Sequence, residues 1–222
     1  MDAHRSTPQL VIFDCDGTLV DSERLSSEAL ADALSAHGLP TSAAQAEHDY
    51  RGLLLTEIER RVVAQLGHPL PEGWVGEFER DRAERFRREL RPIPGAAETV
   101  STVVQAGVEV CVASHGKLEK TRLTLGLTGL DHLFAEERRF SGWLVPRGKP
   151  APDLLLHAAA TLGAEPAYCV AVDDAAIGIE AAVAAGMRAV GFAPSGEGED
   201  LLRAGAEIVL GSLAELPAAL GV

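Results

Sequence analysis

From residue 94 to the end of the chain, short apolar runs alternate with stretches of helical period, and this alternation limits the possible folds more than any other feature. The predicted strands cover residues 108–113, 168–172, 188–192 and 207–210, with a further short one near Leu133 and Phe134. The predicted helices cover residues 94–106, 117–125, 150–162 and 176–185, the second of them closed by Gly126. Apolar strands separated by helices predict an α/β fold with a parallel sheet covered on both faces.

A first strand, residues 10–13, ends on two carboxylates, Asp14 and Asp16. In an extended chain these side chains share one face, so they repel each other unless a cation lies between them. Hard oxygen donors on a short loop favour Mg²⁺ over Zn²⁺. The alternatives are a simple polar turn or a calcium loop, although the apolar Leu19 and Val20 interrupt the acidic series that a calcium loop requires.

The region between this strand and residue 94 has only helical patterns, over residues 26–37, 55–66 and 77–90. We therefore predict an inserted all-helical domain at residues 21–91 and a core made of residues 1–20 and 92–222. The charge-dense stretch 77–88 could be a binding helix, but opposite charges at helical spacing are more typical of a solvated face.

The charge of the chain narrows the range of partners. The 222 residues carry a formal net charge of −13, so a nucleic acid or an anionic membrane would be repelled. A small phosphorylated substrate remains possible where the site is locally positive or holds a metal. The chain has no apolar run of membrane-spanning length, and residues 1–8 are too polar for a signal peptide, so we expect a cytoplasmic protein. The cysteines lie in apolar runs without CxxC spacing, so we expect them to be reduced core thiols. A monomer is the default expectation.

Polar residues that stand out in the sequence come directly after predicted strands. In a parallel sheet, ligands bind beyond the carboxyl ends of the strands, so these residues are expected to meet at one edge. Taken singly, each residue has another possible role. Ser114 could be a helix N-cap, Asp173 and Asp174 could also cap a helix, and Lys149 could be an exposed loop lysine. The set that we expect at this edge is Asp14, Asp16, Ser114, Lys149, Asp173 and Asp174.

These residue types are suited to phosphoryl transfer through a covalent aspartyl-phosphate. Asp14 is the candidate nucleophile, and Asp16 is the candidate acid and base that protonates the leaving alkoxide and later deprotonates water. Ser114 is expected to hydrogen-bond the phosphoryl oxygens, and Lys149 to neutralise charge on the phosphate and on Asp14. The candidate Mg²⁺ ligands are Asp14, Asp16 through its main-chain carbonyl, Asp173 and Asp174.

Four segments of this set resemble the motifs of the haloacid dehalogenase-like phosphohydrolase superfamily. They are residues 14–23, Ser114 with the two residues before it, residues 148–153 around Lys149, and residues 172–187. The resemblance spans nearly the whole chain. It implies a Rossmann-like three-layer core, a helical cap inserted after the first motif, and Mg²⁺ as the cofactor. A dehalogenase is disfavoured, because Asp16 is the residue that marks phosphoryl chemistry.

Within the superfamily the chain is most similar to the sugar-phosphate branch that contains β-phosphoglucomutase and 6-phosphogluconate phosphatase-like enzymes. Simple register puts Leu55 where the mutase has an arginine for the second phosphate, and Ser26 where it has a histidine. Arg51 and Gly52 match the substrate loop of the cap, although Arg51 could also be a surface arginine. In addition, His115 replaces a common asparagine and Ala175 a common serine. The candidate substrate-binding residues are Gly17, Thr18, Glu23, Arg51, Gly52 and His115.

The sequence thus predicts a Mg²⁺-dependent phosphatase that hydrolyses a small phosphorylated metabolite, a sugar or sugar-acid phosphate monoester. One alternative is a phosphosugar mutase, which would move the phosphate rather than release it. An alternative of another class is a non-hydrolytic phospho-acceptor module of the receiver type, which also places acids, a hydroxyl and a lysine at strand ends. Such modules are shorter and lack an inserted cap.

Overall fold

The computed structural model describes residues 7–196 and 198–222, and its centre is a parallel sheet. The strands are β1 (Leu10–Phe13), β2 (Glu109–Ser114), β3 (Arg139–Ser141), β4 (Cys169–Asp173), β5 (Arg188–Phe192) and β6 (Ile208–Leu210). Their order across the sheet is β3-β2-β1-β4-β5-β6, and every neighbouring pair is parallel. The predicted α/β fold with a Rossmann-like parallel sheet is therefore confirmed.

Ten α-helices accompany the sheet within the described residues. They are α1 (Glu23–Ala36), α2 (Ala43–Tyr50), α3 (Leu55–Leu66), α4 (Trp74–Glu89), α5 (Ala96–Gln105), α6 (Leu118–Thr128), α7 (Asp153–Thr161), α8 (Ala176–Ala184), α9 (Glu199–Arg203) and α10 (Leu216–Leu220). None of the helices in residues 7–196 and 198–222 is long and apolar enough to cross a bilayer.

Strand β1 lies in the middle of the sheet because its side chains are apolar on both faces. Val11 and Phe13 belong to one hydrophobic cluster, which includes side chains of α5, α6 and α10. Leu10 and Ile12 belong to a second cluster on the opposite face, built with α7, α8 and α9. Alternate residues thus feed two separate cores, and the fold has helix, sheet and helix layers.

Helices α1–α4 are inserted between β1 and α5 and form a third hydrophobic cluster around Leu34, Val62 and Trp74. The chain leaves and re-enters the core at one place. The Asp21 N–H donates to the carbonyl of Arg91 at 2.9 Å, and the Ile93 N–H donates to the carbonyl of Leu19 at the same distance. The predicted domain boundaries at 20/21 and 91/92 stay a prediction, and residues 1–6 of the predicted core lie outside the described residues.

Two details of the sequence prediction are wrong. The segment at Leu133 and Phe134 is not a strand, because Leu133 ends a 3₁₀ helix and Phe134 is a buried side chain that packs edge-on against Phe13, with ring centroids 6.3 Å apart. The neighbouring strand β3 comes several residues later. Helix α6 does not end at Gly126 but continues to Thr128, where Gly129 adopts a left-handed φ of 71°.

Candidate active site

The carboxyl ends of β1, β2 and β4 bring the predicted polar residues to one edge of the sheet. The Asp14 N–H extends the ladder by donating to the carbonyl of Val172 at 2.9 Å, so Asp14 lies beside the end of β4. Ser114 is the last residue of β2, and Asp173 is the last residue of β4. The positions follow from the parallel register, in which all strands run towards the same edge.

Lys149 connects the two carboxylates that terminate β1 and β4. Its Nζ lies 2.6 Å from Asp14 Oδ1 and 2.7 Å from Asp173 Oδ2, and its side chain is only 4% exposed. It is therefore not an exposed loop lysine. Burial opposes its charge, but the adjacent carboxylates outweigh burial and raise the pKa of Lys149.

Three carboxylates crowd the edge around this lysine. Ligand oxygens of Asp14, Asp173 and Asp174 all lie within 4.8 Å of one another. Burial raises the pKa of Asp14 well above its usual value, Lys149 opposes that shift, and the other two aspartates add to it. A site of hard oxygen donors whose charges repel each other fits a divalent cation such as Mg²⁺.

Glycines make this crowding possible. A Cβ atom at Gly178 in α8 would lie 1.9 Å from Asp173 Oδ2, so any side chain there would displace the carboxylate. At Gly17, a Cβ atom would lie 2.2 Å from Asp174 Oδ2, and the residue has a positive φ of 76°. The motif glycines thus leave the space in which the aspartates approach each other.

Asp174 is held from both sides. Thr18 Oγ1 donates to its Oδ1 at 3.2 Å, and Arg51, the residue after α2, forms a very short ion pair with its Oδ2. Burial raises the pKa of Asp174 to about 6, although Arg51 and Thr18 favour the ionised form and Asp173 opposes it. Arg51 is thus a contact between the helical insertion and the acidic cluster rather than a free surface arginine.

Asp16 makes a different set of contacts, with Lys120 rather than with Lys149. Ser22 Oγ donates to Asp16 Oδ1 at 2.6 Å, Lys120 Nζ lies 2.6 Å from the same oxygen, and Ser114 Oγ donates to Oδ2 at 3.2 Å. Burial opposes its charge, but the positive charge and hydrogen bond of Lys120 and the Ser22 hydroxyl outweigh burial and lower the pKa of Asp16 to about 2. Asp16 is ionised in this arrangement.

Ser114 does not cap the following helix. The N-cap of α6 is Lys117, and Ser114 Oγ instead accepts the Gly116 N–H at 2.9 Å while it donates to Asp16. His115 Nδ1 lies 2.6 Å from the carbonyl oxygen of Gly52 in the helical insertion. Burial and the charge of Lys149 lower the pKa of His115 to about 4, so the ring is neutral and Nδ1 donates to that carbonyl.

A cavity of about 130 Å³ separates the helical insertion from the edge of the sheet. Its wall on the insertion side is largely apolar and includes Leu30, Tyr50, Leu55 and Phe78, while Glu23 lies towards the acidic cluster. Burial, then the charges of Asp174 and Asp16, raise the pKa of Glu23 to about 7. The structure adds lining residues that the sequence analysis did not single out as site residues: Glu79, Arg82, Lys117, Lys120 and Trp143.

The arrangement can perform a defined piece of chemistry. Asp14 presents a carboxylate beside a lysine and an acidic cluster whose oxygens fit a cation, which suits attack on phosphorus once the opposing charges are offset. Asp16, two residues on, presents a second carboxylate that can hold or release a proton. The cavity above them provides room for the group that carries the phosphate.

Comparison with known proteins points to the same chemistry. The family model described as haloacid dehalogenase-like hydrolase matches residues 8–186. The chain is 32% identical over 185 positions to a 6-phosphogluconate phosphatase of Escherichia coli K12, covering 83% of this chain and 82% of that protein. It is also 32% identical over 225 positions to hexitol phosphatase B of the same strain, covering 96% and 97%. A crystal structure of a HAD family hydrolase from Deinococcus radiodurans R1 with bound phosphate and sodium has a TM-score of 0.78 and 31% identity, covering 97% of this chain and 96% of that one.

Proposed function

This chain is a phosphoric monoester hydrolase that belongs to the haloacid dehalogenase-like family, and from that premise we propose its substrate class, its cofactor and the roles of its residues. The proposed substrate is the phosphate monoester of a sugar or a sugar acid, in keeping with the names of the two E. coli relatives. The observation that carries the proposal is the contact of Lys149 with both Asp14 and Asp173, because it brings the proposed nucleophile, the ammonium group of Lys149 and the acidic cluster together.

In the proposed reaction, Asp14 attacks phosphorus and the bond between phosphorus and the sugar oxygen breaks. Asp16 gives a proton to the leaving alkoxide. Water then attacks the aspartyl-phosphate, Asp16 takes a proton from it, and release of inorganic phosphate restores the Asp14 carboxylate. Ser114 and Lys149 donate to the phosphoryl oxygens, over which the negative charge is spread in the transition state of both steps.

The acidic cluster fits Mg²⁺ by its donor set. The side chains of Asp14, Asp173 and Asp174, with the main-chain carbonyl of Asp16, would hold the ion, which when bound supplies positive charge against both the carboxylate and the phosphate. Arg51 is paired with Asp174, and burial and the neighbouring aspartates raise the pKa of Asp14, so a bound cation would weaken the Arg51–Asp174 pair and lower the pKa of Asp14.

The base role of Asp16 requires its ionised form, and the ion pair with Lys120 stabilises that form. For the acid role, Asp16 must bind a proton when the substrate displaces its present partners. Lys120 therefore acts on the reaction through Asp16 and is proposed as a positioning residue.

Helices α1–α4 are proposed to act as a mobile cap, residues 21–91, that closes over the site and excludes bulk water. The contacts that join this unit to the core near the cavity include Arg51 with Asp174, the Gly52 carbonyl with His115, and Glu79 with Lys117. All of these residues line the cavity, so we propose that the contacts break when the cap opens.

The test is a panel of phosphorylated metabolites incubated with Mg²⁺, with release of inorganic phosphate measured for each. We expect turnover with at least one sugar or sugar-acid phosphate, no turnover for Asp14→Ala, and loss of multiple turnover for Asp16→Asn. Residual activity of Asp14→Ala with a normal metal requirement would mean that another residue is the nucleophile. Full activity of Asp16→Asn would overturn its assigned role.

The mutase alternative is weakened by the residues that line the cavity. Leu55 and Ser26 both face it, so the two positions that would hold an arginine and a histidine in a mutase carry no charge. A mutase converts one phosphosugar into its isomer without net release of phosphate, and the same assay separates the two activities. Because the chain is a hydrolase, the receiver-type module is no longer a candidate.

A further inference from the structure

One positively charged side chain that lines the cavity, Arg82, differs from the others in its contacts. The other lysines and arginines that line the cavity each form an ion pair: Lys149 with Asp14, Lys120 with Asp16, Lys117 with Glu79, and Arg51 with Asp174. Arg82, on α4, also lines the cavity, but it has no ion pair or hydrogen-bond partner among residues 7–196 and 198–222.

The surroundings of Arg82 leave its donors free. The guanidinium lies over the ring of Phe78, one turn earlier in the same helix, at 4.8 Å from the ring centroid. This contact uses the face of the guanidinium and leaves the N–H groups at its edge available. Burial lowers the pKa of Arg82, and the charges of Asp16, Glu79 and Glu23 oppose that shift from beyond ion-pair distance.

Arg82 is half-buried and has no acceptor among the described residues, so a ligand that supplies one gains hydrogen bonds to its N–H groups. The group that matches its planar edge is a carboxylate, which accepts two parallel hydrogen bonds from it. A neutral hydroxyl can accept only one and brings no charge. A second phosphate would bring two negative charges, and the charges of Asp16, Glu79 and Glu23, which already act on Arg82, would repel it more strongly than a carboxylate.

We propose that Arg82 determines substrate specificity by binding a carboxylate on the sugar part of the substrate, so that the preferred substrates are sugar-acid phosphates rather than neutral sugar or hexitol phosphates. This inference rests on the proposed phosphatase function. It adds a residue and a ligand group on the wall that α4 contributes to the cavity.

The test compares two substrates that differ only at the carbon remote from the phosphate: a hexonate 6-phosphate, with a carboxylate at C1, and the hexitol 6-phosphate of the same configuration, with an alcohol there. We expect kcat/KM of the wild-type enzyme to be about 10- to 100-fold higher for the hexonate, which is the range for a hydrogen-bonded charge pair. In Arg82→Gln that ratio should fall close to one. The matched control is Arg85→Gln, which removes an arginine of the same helix that pairs with Asp32 and does not line this cavity.

Other outcomes overturn the inference. A wild-type preference for the hexitol phosphate, or the same ratio in wild type and Arg82→Gln, would show that Arg82 does not bind the carboxylate. A hexitol 1,6-bisphosphate that is preferred over the hexonate only when Arg82 is present would show that it binds a second phosphate instead.

Failure of the proposed function gives a different result, namely no phosphate release from any monoester. Calorimetric binding of both ligands to Asp14→Asn protein then still decides the question, because that comparison does not depend on turnover. Tighter binding of the hexonate that is lost in Asp14→Asn/Arg82→Gln supports the inference, and equal binding of both ligands overturns it.

Discussion

At the residue scale, Lys149 shows how one side chain can hold a site together. It donates to Asp14 at 2.6 Å and to Asp173 at 2.7 Å, so its removal leaves two buried carboxylates facing each other without a counter-charge. We expect Lys149→Met to lower kcat/KM by about 100-fold or more, because loss of one preorganised donor to the reacting group typically has that effect. Steady-state phosphate release measures it.

The control for this change lies in the same loop. Arg147 is 71% exposed and pairs with Asp153 at the start of α7, away from the acidic cluster. Exposed pairs of this kind contribute little, so Arg147→Met should leave kcat/KM within about threefold of wild type. A comparable loss in both variants would mean that the loop, rather than the ammonium group of Lys149, is what matters.

His115 gives the protein a pH dependence that can be isolated. Its pKa is lowered to about 4 in the folded protein, compared with about 6.5 in an unfolded chain. Between these values the unfolded state binds a proton that the folded state does not, so the contribution of His115 to stability is present above pH 6.5 and is lost as the pH falls towards 4. The free energy of unfolding of His115→Asn should therefore decline less between pH 6.5 and 4.5 than that of the wild type, as measured by denaturant titration. Parallel curves would contradict the assignment.

The sequence predicted those site residues that directly follow a strand or lie in a motif. Asp14, Asp16, Ser114 and Asp173 belong to this group, since the parallel register alone brings strand ends together. Lys120 and Arg82 were not identified as site residues. Long side chains on helices reach the site only through the packing of those helices, and no local pattern reports that packing. For Lys120, the available signal was its position in the first turn of the helix after β2, which places it near the edge of the sheet where the site lies.

At the element scale, helix α8 begins beside Asp173 and depends on a glycine for its position. A methyl group at Gly178 would lie within 2 Å of the Asp173 carboxylate, and the clash is with a side chain that Lys149 also holds. We expect Gly178→Ala to weaken Mg²⁺ binding by more than about tenfold, because displaced ligands or their supporting contacts cost that much in known metal sites. Isothermal titration with Mg²⁺ in the absence of substrate measures the affinity directly.

Gly126 provides the matched control, since it also lies inside a helix but has open space where a Cβ would be placed. Its replacement by alanine should leave Mg²⁺ affinity unchanged and stabilise the protein by about 0.5–1 kcal/mol, because alanine loses less backbone entropy on folding. Equal effects of the two substitutions on Mg²⁺ affinity would remove the special role assigned to Gly178.

The long helices of the core and the apolar strands were predictable from their periodicity, whereas short elements such as α2 and β3 were not. Helix α2 has only eight residues, with two of them buried, so its pattern is too short to stand out from a loop. Strand β3 has three residues, and its place at the edge of the sheet depends on pairing with Val112, Ala113 and Ser114 of β2. Tertiary contacts, rather than local propensity, create both elements.

At the scale of the whole molecule, we expect the acidic cluster to couple the proposed metal binding to stability. Burial raises the pKa of Asp174 to about 6, so near neutral pH its charge is held at a cost that a bound cation removes. We expect Mg²⁺ to raise the Tm of the wild type, with a stabilisation of about 2.7 kcal/mol when its concentration is 100 times Kd. Asp174→Asn should be at least as stable as the wild type without metal and gain little from Mg²⁺.

Thermal unfolding at several Mg²⁺ concentrations tests this prediction, with Asp200→Asn as a control at an exposed acid that is far from the cluster in sequence and pairs with Arg203. That control should respond to Mg²⁺ as the wild type does. An Asp174→Asn protein with an undiminished Mg²⁺ response would place the ion elsewhere.

The paired connections at Asp21–Arg91 and Leu19–Ile93 carry a mechanical consequence. A domain attached by a single chain segment can rotate in any direction. Two segments that are hydrogen-bonded side by side resist twisting and bend mainly perpendicular to the plane that they share. We therefore expect the proposed opening of the helical unit to be a hinged swing, after which Arg51 and Glu79 return to the same partners on the core.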